Sequence, residues 1–129
     1  MATLLKGKGA ELDKIVCSPA NRALTTAKFF ANAFELPEAE ILHEERIYEA
    51  YPEEIQGVIE SFNDDWNQVA LFGHNPGFTS LANQYTTEYI QNMPTCCIVQ
   101  ISGIIDSWKK FSSDNATLRA IYFPKQYFD

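Results

Sequence analysis

Val69-Ala70-Leu71-Phe72-Gly73-His74-Asn75-Pro76-Gly77 decides how this chain is read. The first four residues are an apolar run of strand length, and the run stops at Gly73. A histidine follows at once, then Asn-Pro-Gly punctuation, then Phe78-Thr79-Ser80-Leu81-Ala82-Asn83, which reads as the start of a helix continuing toward Tyr85. The pattern predicts His74 at the carboxyl end of a buried strand, on the turn into a helix. Ligands of open α/β sheets bind at that end of the strands. Backbone N–H groups at a helix start suit an anion, and an imidazole can share a proton with it. A lone histidine is more often a satisfied turn residue; the Gly-His-Asn-Pro-Gly context tips the balance toward a site.

Working outward, Ile15-Val16-Cys17 repeats the pattern: a short apolar run, then Ser18-Pro19-Ala20-Asn21-Arg22, then Ala23-Leu24-Thr25-Thr26-Ala27-Lys28-Phe29-Phe30. Ser18 is placed to cap a helix with Pro19 at its first position. Arg22 then falls near the helix amino terminus, where acidic residues are preferred. An arginine there is electrostatically misplaced unless it serves an anion, and its planar fork suits phosphate. A solvent-facing arginine paired with a carboxylate is the alternative, equally weighted on this segment alone.

The rest of the chain supplies the frame. Ile41-Leu42 reads as a short edge strand, and Pro52 opens a helix to about Phe62 with Ile55, Val58, Ile59 and Phe62 at core spacing. Cys97–Ser102 and Leu118–Phe123 read as strands, and Ile104–Trp108 as a short turn of helix. Strands alternating with helices imply an α/β fold with a mostly parallel sheet, expected as one domain over residues 1–129.

Composition narrows the class. With 46% hydrophobic and 13% aromatic residues the chain can bury a core, which argues against disorder. A net charge of −7 and no Lys/Arg cluster disfavour nucleic acid. No signal peptide and no membrane-length apolar run are seen, so no membrane partner is expected. The three cysteines, Cys17, Cys96 and Cys97, form neither a disulfide framework nor a zinc pattern and read as core thiols of a cytoplasmic protein.

Together the two strand-turn-helix segments resemble the histidine phosphatase superfamily, the phosphoglycerate mutase-like fold, and within it the SixA type of phosphohistidine phosphatase. Ser18-Pro19-Ala20-Asn21-Arg22-Ala23 with Thr26-Ala27 is similar to that family's Ser-Pro-x-x-Arg-Ala-x-x-Thr-Ala signature. Gly73-His74-Asn75-Pro76-Gly77 is similar to its second histidine motif, and Asn92–Cys96 and Phe123-Pro124-Lys125 also resemble its small members. The resemblance implies a three-layer α/β/α sandwich. The family's first motif, Leu-x-x-x-Arg-His-Gly, which carries the nucleophile, has no counterpart: the second histidine, His43, stands in Leu42-His43-Glu44. Met1–Gly9 looks like the tail of the helix that precedes the Ser-Pro strand, so the expectation is a chain lacking the family's first strand.

Carried over by position, the resemblance makes His74 and Arg22 catalytic, with Ser18 and Asn75 completing the phosphate pocket. It places a proton donor between the motifs, where Glu45 and Glu49 are the candidates beside Glu44; for at least two of these three a solvated acidic face is the better reading. It implies phosphoryl transfer without metal or cofactor. The partner would be a phosphohistidine-bearing protein or a phosphorylated small molecule, with a non-catalytic phosphate-binding module as the third reading. Oligomeric state is left open.

Overall fold

Lys14-Ile15-Val16-Cys17 forms the strand on which the first half of the molecule is built. The computed structural model describes residues 11–91 and 98–122. These fall into two compact units, 11–50 with 65–74, and 51–64 with 75–91 and 98–122.

In the first unit β1 (Lys14–Cys17) lies between β2 (Leu42–His43) and β3 (Val69–Phe72), parallel to both, giving the order β2-β1-β3. Its position explains its composition. Ile15, Val16 and Cys17 are buried, as an uninterrupted apolar strand between two parallel neighbours should be. Asp13 fixes the register at the start: its carboxylate accepts from the Asn67 and Gln68 N–H groups at 2.7 and 3.0 Å. Ile41 is buried, but Leu42 and His43 are exposed, which fits β2 as a short edge.

Helix α1 (Asn21–Ala33) buries Ala23, Ala27, Phe30 and Ala31, an i, i+4, i+7, i+8 stripe, and Phe30 sets its ring edge-on to Phe72 of β3 at 5.0 Å. It begins later than the sequence suggests. Ala20, not Ser18, stands at the N-cap, and no side chain caps the helix. The Ser18 hydroxyl is engaged elsewhere, as described below. The carboxyl end closes in a Schellman arrangement, with Leu36 N–H donating to Ala31 O at 2.8 Å and Glu35 N–H to Asn32 O at 3.3 Å. This puts Glu35 at φ 59°, a conformation that favours glycine.

The second unit has its own core. Helix α2 (Pro52–Glu60) buries Ile55, Val58 and Ile59 and packs with α3 (Gly77–Asn83), which buries Thr79, Leu81 and Ala82. Gln56 is the polar link inside this unit: its amide nitrogen donates to Phe111 O at 2.7 Å and its oxygen accepts from the Tyr85 hydroxyl. Strands β4 (Ile98–Gly103) and β5 (Ala116–Tyr122) form an antiparallel ribbon. Gly103 is required there, since a Cβ would lie 2.1 Å from Asn115 O. Residues 104–107 of the segment expected as a helical turn, 104–108, are not helical. Ser107 accepts from Lys109 N–H and starts a single 3-10 turn at Trp108–Lys110, and the Asp64 carboxylate holds Ser107 and Trp108 in place. Helix α3 ends at Asn83, before Tyr85, and the Asn83 side chain instead bridges to both backbone groups of Ile90. Residues 1–9, Asn92–Cys96, Cys97 and Phe123–Lys125, on which some expectations rested, lie outside the described residues.

The first unit is mixed α/β around a parallel three-stranded sheet, in line with the expected class. Replacing Glu35 by Gly is expected to stabilise the protein by up to about 1 kcal/mol, read as a raised urea midpoint at unchanged slope. A second outcome concerns Cys17, whose thiol is pushed up to about 11 by burial and donates to Ser18 O at 3.0 Å. Because the folded state keeps this proton longer than the unfolded chain, its contribution is full below pH 9 and is lost as pH rises to about 11. Urea titrations across that window should show a smaller loss of stability in Cys17→Ala than in the parent.

Candidate functional site

Parallel pairing brings three strand ends to one edge. Cys17 is level with His43 of β2 and Phe72 of β3. The ladder runs on for one more residue on each side, Ser18 N–H donating to Phe72 O at 2.9 Å and Glu44 N–H to Cys17 O at 2.8 Å. Just beyond, the chain leaves β1 toward α1 and leaves β3 through Gly73-His74.

There Ser18 and His74 meet. The Ser18 Oγ lies 2.7 Å from His74 Nε2, although 56 residues separate them in sequence. Ser18 is fully buried, so its hydroxyl requires a partner, and the imidazole provides it. The hydroxyl can donate to a neutral Nε2 or accept from Nε2–H, which makes the pair a proton-bearing element that works in either tautomer. Ala20 N–H also points at Ser18 Oγ, at 3.4 Å. The serine expected to cap a helix is therefore committed to the histidine.

His74 has a second neighbour that sequence reasoning did not single out. The Tyr48 ring stands edge-to-face with the imidazole, centroids 5.7 Å apart and planes at 81°. Tyr48 lies between the two candidate donors, Glu45 and Glu49, so the segment was flagged by its carboxylates while the contact to His74 is made by an aromatic ring. No periodicity or turn signal marks such a residue.

Arg22 falls in the first turn of α1, exposed, with no acidic residue in that turn. Among the described residues no carboxylate pairs with its guanidinium. The ion-paired alternative is thus not seen among the described residues.

The carboxylates differ in their surroundings. Glu44 binds Arg46 through two contacts of 2.9 Å, and this hydrogen bonding holds its carboxyl below the usual range, in the form that has no proton to give at neutral pH. Glu45 opens the 3-10 turn Glu45–Ile47, and Glu49 stands at φ 50°; both are exposed. Asn75 works within the second unit: its side-chain oxygen accepts from the Thr79 N–H at 3.1 Å and the Thr79 hydroxyl at 2.8 Å, pinning the turn after His74. Among the described residues no group of His, Cys and carboxylates is placed to hold a metal, and no helix is long and apolar enough to cross a membrane.

No family model and no curated protein matches the sequence. Solved structures do. The chain superposes on the protein histidine phosphatase SixA complexed with tungstate with a TM-score of 0.78 at 19% identity, over 97% of this chain and 77% of that one. A protein from Nakamurella multipartitia named as a SixA phosphohistidine phosphatase gives 0.75 at 17% identity over 95% and 79% of the two chains. One from Agrobacterium tumefaciens, likewise named, gives 0.74 at 20% over 95% and 75%. At these identities the likeness establishes a shared fold.

Ser18→Ala leaves His74 Nε2 without its partner and is expected to cost about 1–2 kcal/mol in urea denaturation, with the secondary structure by circular dichroism unchanged.

Proposed function

On the premise of a fold shared with the SixA structures, we propose that this chain handles phosphoryl groups as a phosphohistidine phosphatase-type hydrolase. The observation that carries the reading is the Ser18–His74 pair, 2.7 Å apart at the carboxyl edge of a parallel sheet, with Arg22 on the helix that leaves the same strand.

Each group has a task in that chemistry. Arg22 meets two phosphoryl oxygens with its planar fork and offsets charge as the bond to phosphorus changes. His74 presents Nε2 to a third oxygen, and the Ser18 hydroxyl, 2.7 Å from Nε2, turns to the same oxygen when the anion arrives. As the P–N bond of the substrate phosphohistidine breaks, phosphorus bonds first to the histidine nucleophile that the resemblance implies, giving a phosphohistidine intermediate, and then to the oxygen of water. The imidazole released is a good leaving group once protonated, so a strong general acid is not demanded. Glu45 and Glu49 are the carboxylates on the neighbouring loop that fit a donor. The reading assigns no nucleophile among these residues, since neither His43 nor His74 stands in an Arg-His-Gly sequence. It also makes the substrate a protein-borne phosphohistidine, in a cytoplasmic signalling context. A small phosphomonoester would be the alternative substrate.

The Ser18–His74 pair and Arg22 would equally serve a second reading, a module that binds a phosphorylated partner without turnover. Arg22→Ala is expected to weaken tungstate or phosphate binding by about tenfold or more, measured calorimetrically. Unchanged affinity would remove the pocket from both readings. Hydrolysis of a phosphohistidine peptide by the native polypeptide, lost in His74→Ala, separates the enzyme from the module; faster turnover of an aryl phosphate would point to the small-molecule substrate.

A further inference from the structure

We propose that Tyr48 is the positioning residue for His74, an aromatic clamp that sets the plane of the imidazole. The Ser18 hydrogen bond fixes one atom of that ring, Nε2, at 2.7 Å. One such bond leaves the plane free to pivot about the axis through Cβ and Nε2. The edge-to-face contact with Tyr48, at 5.7 Å and 81°, removes that freedom.

The loop is built to hold the tyrosine still. Ile47, 1% exposed, anchors the 3-10 turn beneath it, and Tyr48 N–H donates to Glu45 O at 3.1 Å. On the other side Glu49 takes up φ 50°, the left-handed conformation that non-glycine residues rarely adopt, and so reverses the chain directly after the clamp. The Tyr48 side chain itself is 52% exposed, so its ring is not held for the sake of the core. The consequence for function rests on the phosphoryl-site reading: a pre-set imidazole meets the anion without first losing rotational freedom, so the clamp adds affinity by preorganisation.

The chain has two histidines, His43 and His74, so their ring resonances can be assigned and followed separately by NMR. In Tyr48→Ala and Tyr48→Leu the His74 ring resonances should move while those of His43 stay, the latter reporting an intact fold. Tungstate binding should weaken about three- to tenfold in both variants. Tyr48→Phe should keep the parent's resonances and affinity, because the ring and not the hydroxyl makes the contact. Unmoved His74 resonances in Tyr48→Ala, or a Tyr48→Phe variant that behaves like Tyr48→Ala, would overturn the clamp. A parent protein that does not bind tungstate overturns the phosphoryl reading instead, and the resonances then decide the clamp alone.

Discussion

The double pairing of β1 is the constraint on which the first unit depends. A strand hydrogen-bonded on both sides, with Ile15, Val16 and Cys17 buried, has little freedom to shift. A slip by one residue would turn every side chain to the opposite face. Ser18 inherits this rigidity because its N–H continues the ladder to Phe72 O. The hydroxyl that meets His74 is therefore placed by backbone hydrogen bonds and not by a flexible loop. Such a mounting holds a side chain to a closer tolerance than a loop does.

Much of this was legible because the strands of a parallel sheet are short, apolar and abruptly ended. Ile15–Cys17 and Val69–Phe72 show that pattern, and each is followed by the turn chemistry that launches a helix. The α2 stripe was legible for the same reason, since Ile55, Val58 and Ile59 keep helical spacing. What sequence could not convey is competition between partners. Ser18 has the composition of a cap, yet the histidine 56 residues away takes its hydroxyl, so α1 starts at Asn21 with no side-chain cap. Trp108 was read into a helix from residue 104, but the Asp64 carboxylate and the Ser107 cap delay the turn. Both shifts come from contacts remote in sequence. Tyr48 is the extreme case, a residue whose meaning lies wholly in the ring it faces.

The site's electrostatics are local. The chain carries a net charge of −7, yet Arg22 has no carboxylate partner among the described residues. Glu44, the nearest carboxylate in sequence to β2, is neutralised by Arg46 at 2.9 Å.

Glu35 and Glu49 share the left-handed backbone conformation, and the segment between them carries β2, the 3-10 turns Glu38–Glu40 and Glu45–Ile47, and Tyr48. Each end of this stretch is turned by its own backbone geometry, and within it β2 is the strand that joins the sheet, through Leu42 and His43. The interval thus behaves as a cassette. Substitutions inside it can re-aim what faces His74, or change the charge on that loop, while β1 and β3 keep their register. Variation in the loop that faces His74 and preservation of the fold are thus assigned to different parts of the chain, so one can drift without endangering the other.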